Sequence, residues 1–272
     1  MIGYTVFNGY QIRLLKDMPD QFLELVCDDH FADKPIVQHI SSGKFSDVFR
    51  FRYENDAFVY KRFLDRGPFE PLKTLFRGNR AQRSLVGDMV LQTNGFLSPH
   101  GILIGKNKNQ FFTVTKSLDL ALNLIEYIRA LFSGSKSHNF ILKKRKFTEE
   151  LGKIVGKMHA SGIRHGDLRW GNIFIHDTDS NGHLVYFIDN ERTRKFKKIS
   201  NRARLKNLVQ MNLLPVKGVT NTDRLRFFNA YLEQNPNLVI QKRQLLKKIL
   251  IKTEKRFKMR GAKYPSKDAI HG

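Results

Sequence analysis

A chain of 272 residues with 41% hydrophobic side chains and 22 Phe can bury one large core or two smaller ones, which excludes a disordered or fibrous protein. Its 48 Lys and Arg against 25 Asp and Glu leave a net charge of +23, a field that draws nucleic acid, an anionic membrane face or a phosphorylated substrate without choosing among them. No apolar run approaches the roughly eighteen residues of a membrane span, and the lone Cys27 excludes an internal disulfide and points to a reducing compartment.

Met1 to Arg13 holds no basic stretch followed by an apolar one, so no signal peptide is expected and the chain reads as cytoplasmic. Tyr4 to Phe7 and Tyr10 to Leu14 flank Asn8-Gly9 and predict a hairpin with a type I′ turn. A short helix is expected over Phe22 to Val26. Ile40 to Phe51 then alternates around Ser41-Ser42-Gly43-Lys44-Phe45-Ser46-Asp47-Val48. Laid on the protein-kinase loop G-x-G-x-x-G-x-V, it puts Ser41, Gly43, Ser46 and Val48 at the marked positions. Only the middle glycine survives, and an ordinary β-turn is the alternative. Ala57 to Phe63 predicts a strand with Lys61 near its centre. That lysine stands thirteen residues after Val48, in the place of the kinase lysine that touches the nucleotide phosphates, with a lysine on the solvent face of the strand as the alternative. A helix is expected over Arg77 to Gln92, with Leu85, Met89 and Val90 on one side, yet it holds no Glu to pair with Lys61. Glu70 and Asp88 are the nearby acids. Gly101 to Ile104 and Phe111 to Thr115 predict a second hairpin, so the first 115 residues read as strand-rich with one main helix.

From residue 116 the texture turns helical. Leu118 to Phe132, apolar on several faces, suits a buried helix. Thr148 is placed to N-cap a helix through His159, with Leu151, Ile154, Val155 and Met158 in one stripe, and Gly162 stops it. Next comes His165-Gly166-Asp167-Leu168-Arg169-Trp170-Gly171-Asn172, with Asp189 seventeen residues beyond Asn172. Protein kinases carry H-R-D-L-x-x-x-N and then D-F-G, where one Asp serves the acceptor hydroxyl and the Asn and second Asp hold magnesium. Apolar Ile173 to Ile175 and Leu184 to Ile188 surround a turn-like Asp177 to Gly182. This hairpin pattern would set Asn172 and Asp189 at neighbouring strand ends, where one ion could touch both. A polar turn between core strands is the plain alternative, but the spacing and the hairpin together favour a phosphoryl-transfer site. Beyond it, Arg192, Arg194, Lys195, Lys197 and Lys198 form either a solvated face or a grip on an anionic acceptor or membrane. Asn201 to Leu213 and Thr222 to Leu232 read as amphipathic helices, the second N-capped by Thr222 with Leu225, Phe228 and Leu232 inward. A last helix is expected over Lys242 to Lys263, with Leu245, Leu246, Ile249, Leu250 and Phe257 on its apolar side; it either packs on the domain with a basic outer face or docks on an anionic membrane surface.

These residues resemble the bacterial lipopolysaccharide core kinases, the Kdo/heptose kinase family within the protein-kinase-like superfamily. The likeness rests on His165 to Ile173, on Tyr186-Phe187-Ile188-Asp189-Asn190-Glu191-Arg192, on Arg204 to Leu208 and on Thr222 to Phe227. It implies an α+β, bilobal protein-kinase-like fold: a strand-rich N-terminal lobe over 1–115 that carries the nucleotide phosphate side, and a mostly helical, reduced C-terminal lobe over 116–272. It also implies transfer of the γ-phosphate of ATP, with Mg, to a Kdo or heptose hydroxyl of the lipid A–core. Such an enzyme would sit peripherally on the anionic cytoplasmic face of the inner membrane. Asp167 would orient the hydroxyl and take its proton, and Arg169 would neutralise charge on the transferring group. Asn172 and Asp189 would hold magnesium, while Gly43, Val48 and Lys61 would place the nucleotide. Departures from protein kinases are the missing helix Glu, the thinned glycine loop, and Asn190-Glu191 in place of Phe-Gly. The absence of A-P-E and of a long activation segment disfavours a peptide acceptor. Two other readings stay open. A small-molecule kinase of the choline or aminoglycoside type would prefer an acidic acceptor pocket, which this basic chain does not suggest. A non-catalytic, kinase-shaped protein binding membrane or nucleic acid would have no need of the base and both metal ligands. No motif speaks to oligomeric state.

Overall fold

The computed structural model describes residues 4–43, 45–64, 67, 74, 78–108, 110–132, 138–178, 182–214 and 219–259. The chain divides into two compact units, Met1–Met89 with Ser98–Asp119, and Val90–Leu97 with Leu120–Gly272.

The first unit is built on one antiparallel sheet of seven strands: β1 (Thr5–Phe7), β2 (Tyr10–Leu14), β3 (Val37–Gly43), β4 (Ser46–Tyr53), β5 (Asp56–Phe63), β6 (Gly101–Asn107) and β7 (Gln110–Lys116). Their order is β1-β2-β6-β7-β5-β4-β3. Asn8 and Gly9 both take positive φ (48° and 80°), the backbone a type I′ turn requires. The sheet carries an aromatic core because its inward alternate positions are Phe and Tyr. Helix α1 (Asp20–Val26) sets Phe22 against it, with ring centroids 4.9 Å from Phe58 and 5.8 Å from Phe51. Tyr60 stacks between Phe31 at 4.5 Å and Phe112 at 4.8 Å. Cys27 is buried in this cluster, and burial pushes its thiol up to about 12, so it is a small apolar side chain and not a nucleophile. Helix α2 (Arg80–Gln92) follows and buries Ala81 and Leu91, whereas Met89 is 52% exposed. Of the expected stripe, Leu85 and Val90 pack partly buried against hydrophobic clusters, and Met89 does not.

The second unit contains β8 (Leu122–Asn123), α3 (Leu124–Phe132), α4 (His138–Ala160), β9 (Ile163–Arg164), β10 (Ile173–Asp177), β11 (His183–Phe187), β12 (Arg194–Lys195), α5 (Asn201–Asn212), α6 (Asn221–Glu233) and α7 (Lys242–Met259). Its core joins Phe147, Leu151, Val155, Met158, Phe187, Leu208, Phe228, Tyr231, Ile249 and Phe257. Helices α4 and α6 approach closely because α4 turns glycines toward α6. A Cβ on Gly152 would lie 2.4 Å from the Phe227 carbonyl, and one on Gly156 would lie 2.8 Å from that of Tyr231.

Several expected boundaries move. Helix α4 begins at His138, and Thr148 sits inside it with its hydroxyl donating to the Lys144 carbonyl four residues back, so it caps nothing. The N-cap of α6 is Thr220, not Thr222. A capping box with Asp223 fixes it, and Leu225 is consequently 42% exposed while Phe228, Tyr231 and Leu232 turn inward. Leu118 to Phe132 is not one buried helix, because Asn123 caps a shorter one by accepting the N–H groups of Ile125 and Glu126. On α7 the buried line is Ile249, Thr253 and Phe257, with Leu250 exposed; residues 260–263 of the expected helix lie outside the described residues. Among the described residues no helix is long and apolar enough to cross a membrane.

Candidate active site

Helix α4 ends at Ala160, Gly162 takes φ +76°, and β9 then pairs with β12, Arg164 opposite Arg194. From this short ladder the chain enters the loop 165–172, which closes in a 3-10 turn over Trp170–Asn172. Two fully buried side chains, His165 and Leu168, pin the loop from inside. The Nδ1 atom of His165 accepts the N–H of Asp167 at 3.1 Å. Burial pushes this imidazole down to about 4 against the opposing pull of Asp189 and Asp167, so it stays neutral and orients the loop. Gly166 has a steric reason. A Cβ there would lie 2.0 Å from the Arg192 Cβ and 2.8 Å from the Arg192 backbone, so the arginine that protein kinases place before the Asp does not fit.

The Asp167 carboxylate is held from two sides. Arg169 Nε donates to both oxygens, at 2.8 and 2.9 Å, and its Nη2 also reaches Oδ2. Gln210 Nε2 donates to Oδ1 at 2.7 Å. The bond to Asp167 in turn pushes the Arg169 guanidinium pKa up. Asn172 Nδ2 donates to the Asp167 carbonyl at 2.9 Å, which turns its amide oxygen the other way. The Asn172 carbonyl accepts the N–H of Ile188 at 3.0 Å, one step past the Ile173–Phe187 pair of the β10–β11 hairpin. Asn172 therefore stands beside the residue before Asp189. Asp189 is left-handed (φ 58°, ψ 48°) at the head of the 3-10 turn Asn190–Arg192, a conformation costing an L-residue about 1 kcal/mol. Asn190, at the Phe of D-F-G, is buried and bonds Nδ2 to the Phe187 carbonyl at 2.8 Å. One carboxylate and one amide oxygen suit a hard cation such as magnesium. Among the described residues no group of three or more His, Cys, Asp or Glu is placed to hold a metal ion.

Behind Asp167 runs a buried hydrogen-bond chain that no sequence motif announced. Asn207 Nδ2 donates to the His165 carbonyl at 2.8 Å and to Gln210 Oε1 at 3.0 Å, so the Asn207 Oδ1 must accept. It does so from His159 Nε2 at 3.2 Å. Burial and the Arg204 charge push His159 down to about 3, so the ring is neutral and its Nδ1 accepts from the Tyr231 hydroxyl at 3.0 Å. That hydroxyl accepts from Arg204, whose Nη1 also donates to Asn235 Oδ1 at 2.8 Å. Every link thus points one way, from Arg204 through Tyr231, His159, Asn207 and Gln210 to Asp167. The readable trace in the sequence is the polar series Arg204, Asn207, Gln210 at three-residue steps on α5, all of it buried.

In the first unit the strand register brings the three expected nucleotide residues together. Gly43 pairs with Ser46 and Ser41 with Val48; Val48 faces Lys61 on β5, and Lys61 faces Thr113 on β7. Lys61 Nζ lies 5.4 Å over the Phe63 ring. Lys44 and Glu70 are outside the described residues. Helix α2 begins at Arg80. This buried guanidinium stacks 4.6 Å above Phe63 and donates to the Leu64 carbonyl at 3.2 Å and to that of Phe45, which ties α2 to the β3–β4 turn. The basic run of the second unit divides. Arg194 and Lys195 form β12, Arg194 donating to the Thr193 carbonyl at 2.7 Å and Lys195 to Asn94 Oδ1 at 2.6 Å. Arg192, Lys197 and Lys198 are exposed.

A strand-rich unit with a lysine on an inner strand, and a helical unit with an H-x-D…N loop and a following Asp, define a protein-kinase-like phosphotransferase. The profile of the lipopolysaccharide kinase (Kdo/WaaP) family matches residues 92–231, and the chain belongs to that family. It is accordingly a phosphotransferase acting on a sugar hydroxyl. Among solved structures, WaaP in complex with acyl carrier protein aligns at TM-score 0.64 and 19% identity, over 89% of this chain and 98% of that one, which shows a shared fold. The bifunctional kinase-methyltransferase WbdD aligns at TM-score 0.43 and 15% identity, over 76% of this chain and 47% of that one. No curated protein matches in sequence.

Proposed function

We propose that the enzyme transfers the γ-phosphate of ATP to a Kdo or heptose hydroxyl in the inner core of lipopolysaccharide, with Asp167 as base and with magnesium. The supporting observation is that one short run of contacts joins Asp167, Asn172 and Asp189 in a chain of this family.

Asp167 receives the acceptor hydroxyl at the carboxylate edge that Gln210 does not hold. The hydroxyl oxygen forms a bond to the γ-phosphorus, the bond from phosphorus to the β–γ bridging oxygen breaks, the proton passes to Asp167, and ADP leaves. Arg169, which lies on Asp167 in the structure, moves onto the negative charge of the transferring group. Magnesium, held by Asp189 and the Asn172 amide oxygen, would screen the phosphate charges when bound. Lys61, Val48 and the turn at Gly43 receive the nucleotide, and Arg192, Arg194, Lys195, Lys197 and Lys198 lie on the side that meets an anionic acceptor. The net charge of +23 favours a peripheral position on the anionic cytoplasmic face of the inner membrane.

Mass spectrometry of lipid A–core from cells producing the wild type or Asp167→Asn tests this reading. One added phosphate that depends on Asp167 is expected. Identical spectra from folded proteins, with the acceptor sugar present, would overturn it.

A further inference from the structure

Next to the catalytic loop the second unit opens a cavity of about 560 Å³. Six cationic side chains line it: Arg164, Arg192, Arg202, Lys206, Lys252 and Arg256. Among the described residues no carboxylate lines it, and none of the six has an ion pair within 4.0 Å. This arrangement is built by four elements. Arg202 and Lys206 are four apart on α5, and Lys252 and Arg256 are four apart on α7, so each helix turns two like charges to one side, which destabilises an isolated helix. A bond from Asn212 to the buried Thr253 at 3.1 Å locks the two helices together beside these pairs. Arg164 from β9 and Arg192 from the turn before β12 complete the ring.

The cavity floor adds to the field. Ser200 N-caps α5 by accepting the Ala203 N–H at 3.3 Å, and the first turn of α5 carries no acid to offset its positive end. The Arg164 Nε is buried without a hydrogen-bond partner among the described residues. Lys206 donates to the Gly166 carbonyl at 2.8 Å, so the cavity reaches the residue before Asp167. Burial lowers the Lys206 pKa, and Arg192, Arg164 and Arg256 lower it further against the pull of Asp167. Six cations gathered beside a base, with Arg192, Arg202, Lys206 and Lys252 exposed, make a positive field that a multiply charged anion would offset.

We propose that this cavity is an acceptor subsite that binds an oxyanion already carried by the sugar substrate, a phosphate ester or a sugar carboxylate close to the hydroxyl that reacts. The assignment rests on the kinase reading above and gives that reading a substrate requirement: the acceptor must be anionic before it is phosphorylated. Discrimination arises because a neutral acceptor leaves the six cations crowded and unpaired.

The test uses the full chain and core oligosaccharide released from lipid A by mild acid, in native, enzymatically dephosphorylated and carboxyl-reduced forms. Binding is read by calorimetry, and transfer from Mg-ATP is read separately. One variant combines Arg202→Gln, Lys252→Gln and Arg256→Gln, none of which touches Asp167, Asn172 or Asp189; a charge-keeping control combines Arg202→Lys, Lys252→Arg and Arg256→Lys. The wild type and the control should bind the native form at least about tenfold more tightly than one of the stripped forms, a preference that fades with added salt. Whichever stripped form loses affinity identifies the oxyanion. The glutamine variant should lose that preference and show a raised acceptor KM at unchanged kcat. Equal binding of all three forms by the wild type, or an undiminished preference in the glutamine variant, overturns the subsite. Tight binding of inorganic phosphate that leaves oligosaccharide affinity untouched overturns it as well. A binding preference without any transfer would instead count against the kinase reading.

Discussion

The Gln210→Ala substitution probes the rear grip on Asp167, the proposed base. Gln210 is buried, and its Nε2 meets Asp167 Oδ1 at 2.7 Å. A hydrogen bond to a charged group contributes about 1.5–3 kcal/mol. Asp167 keeps the Arg169 pair and its side chain is 19% exposed, so the low end applies and about 1.5 kcal/mol is at stake. If that orientation is needed while the hydroxyl attacks, kcat falls about tenfold. Asn207 still bonds the His165 carbonyl in the variant, so the loop itself stays in place. Gln210→Glu separates orientation from mere packing. Its second oxygen would face the Asp167 carboxylate at hydrogen-bond distance, where two carboxylates share a proton, and the acidic limb of the pH–rate profile should rise by about one unit or more. The assay is the initial rate of phosphate transfer from pH 5 to 9, with a melting curve for each variant. Unchanged kcat for Gln210→Ala, together with an unmoved acidic limb for Gln210→Glu, would falsify the positioning role.

Three further outcomes are expected. His165 and His159, held at about 4 and about 3 in the fold, bind protons first in the unfolded chain, where histidine titrates near ~6.5. Stability is therefore complete above that value and falls as the pH drops toward 4, by roughly 1.4 kcal/mol per pH unit for each histidine; denaturant titrations at pH 7.5, 6 and 5 read the slope, and a flat profile contradicts it. Asp189→Asn should keep the fold, because Asn tolerates the left-handed backbone, while transfer drops by more than about a hundredfold through loss of the carboxylate, read as activity against the melting temperature. Gly166→Ala should cost more than about 2 kcal/mol and lower kcat, because Arg192 and its backbone would have to move; a melting curve matching the wild type shows that they give way freely.

Legibility in the sequence followed the range of the interaction that decides each feature. The Asn8-Gly9 hairpin and the 165–189 loop and hairpin depend on neighbours along the chain, and they stand where spacing put them. Caps were harder, since Thr148, Thr220 and Thr222 all look alike locally. A competing Thr220–Asp223 box, and a helix that had already begun at His138, decide among them. Least legible was the support of Asp167. Its members come from α4, α5 and α6, and pairing them needs the folded helix packing that Gly152 and Gly156 permit. The tie from Arg80 to the β3–β4 turn was hidden for the same reason, because its targets are backbone carbonyls that have no residue signature.

The oriented chain behind Asp167 also constrains where a proton goes after transfer. A relay conducts inward only if each member can accept a proton on one side and release one on the other, as hydroxyls and imidazoles do. Two side-chain amides, Gln210 and Asn207, interrupt this path at its first and second links, and the Tyr231 hydroxyl already receives a bond from the positive Arg204. The interior therefore acts as an insulator. With Asp167 as the base proposed above, the proton lifted from the sugar would leave through its open edge, to bulk water or to the departing phosphates, so resetting would depend on solvent access at the loop and not on the buried histidines.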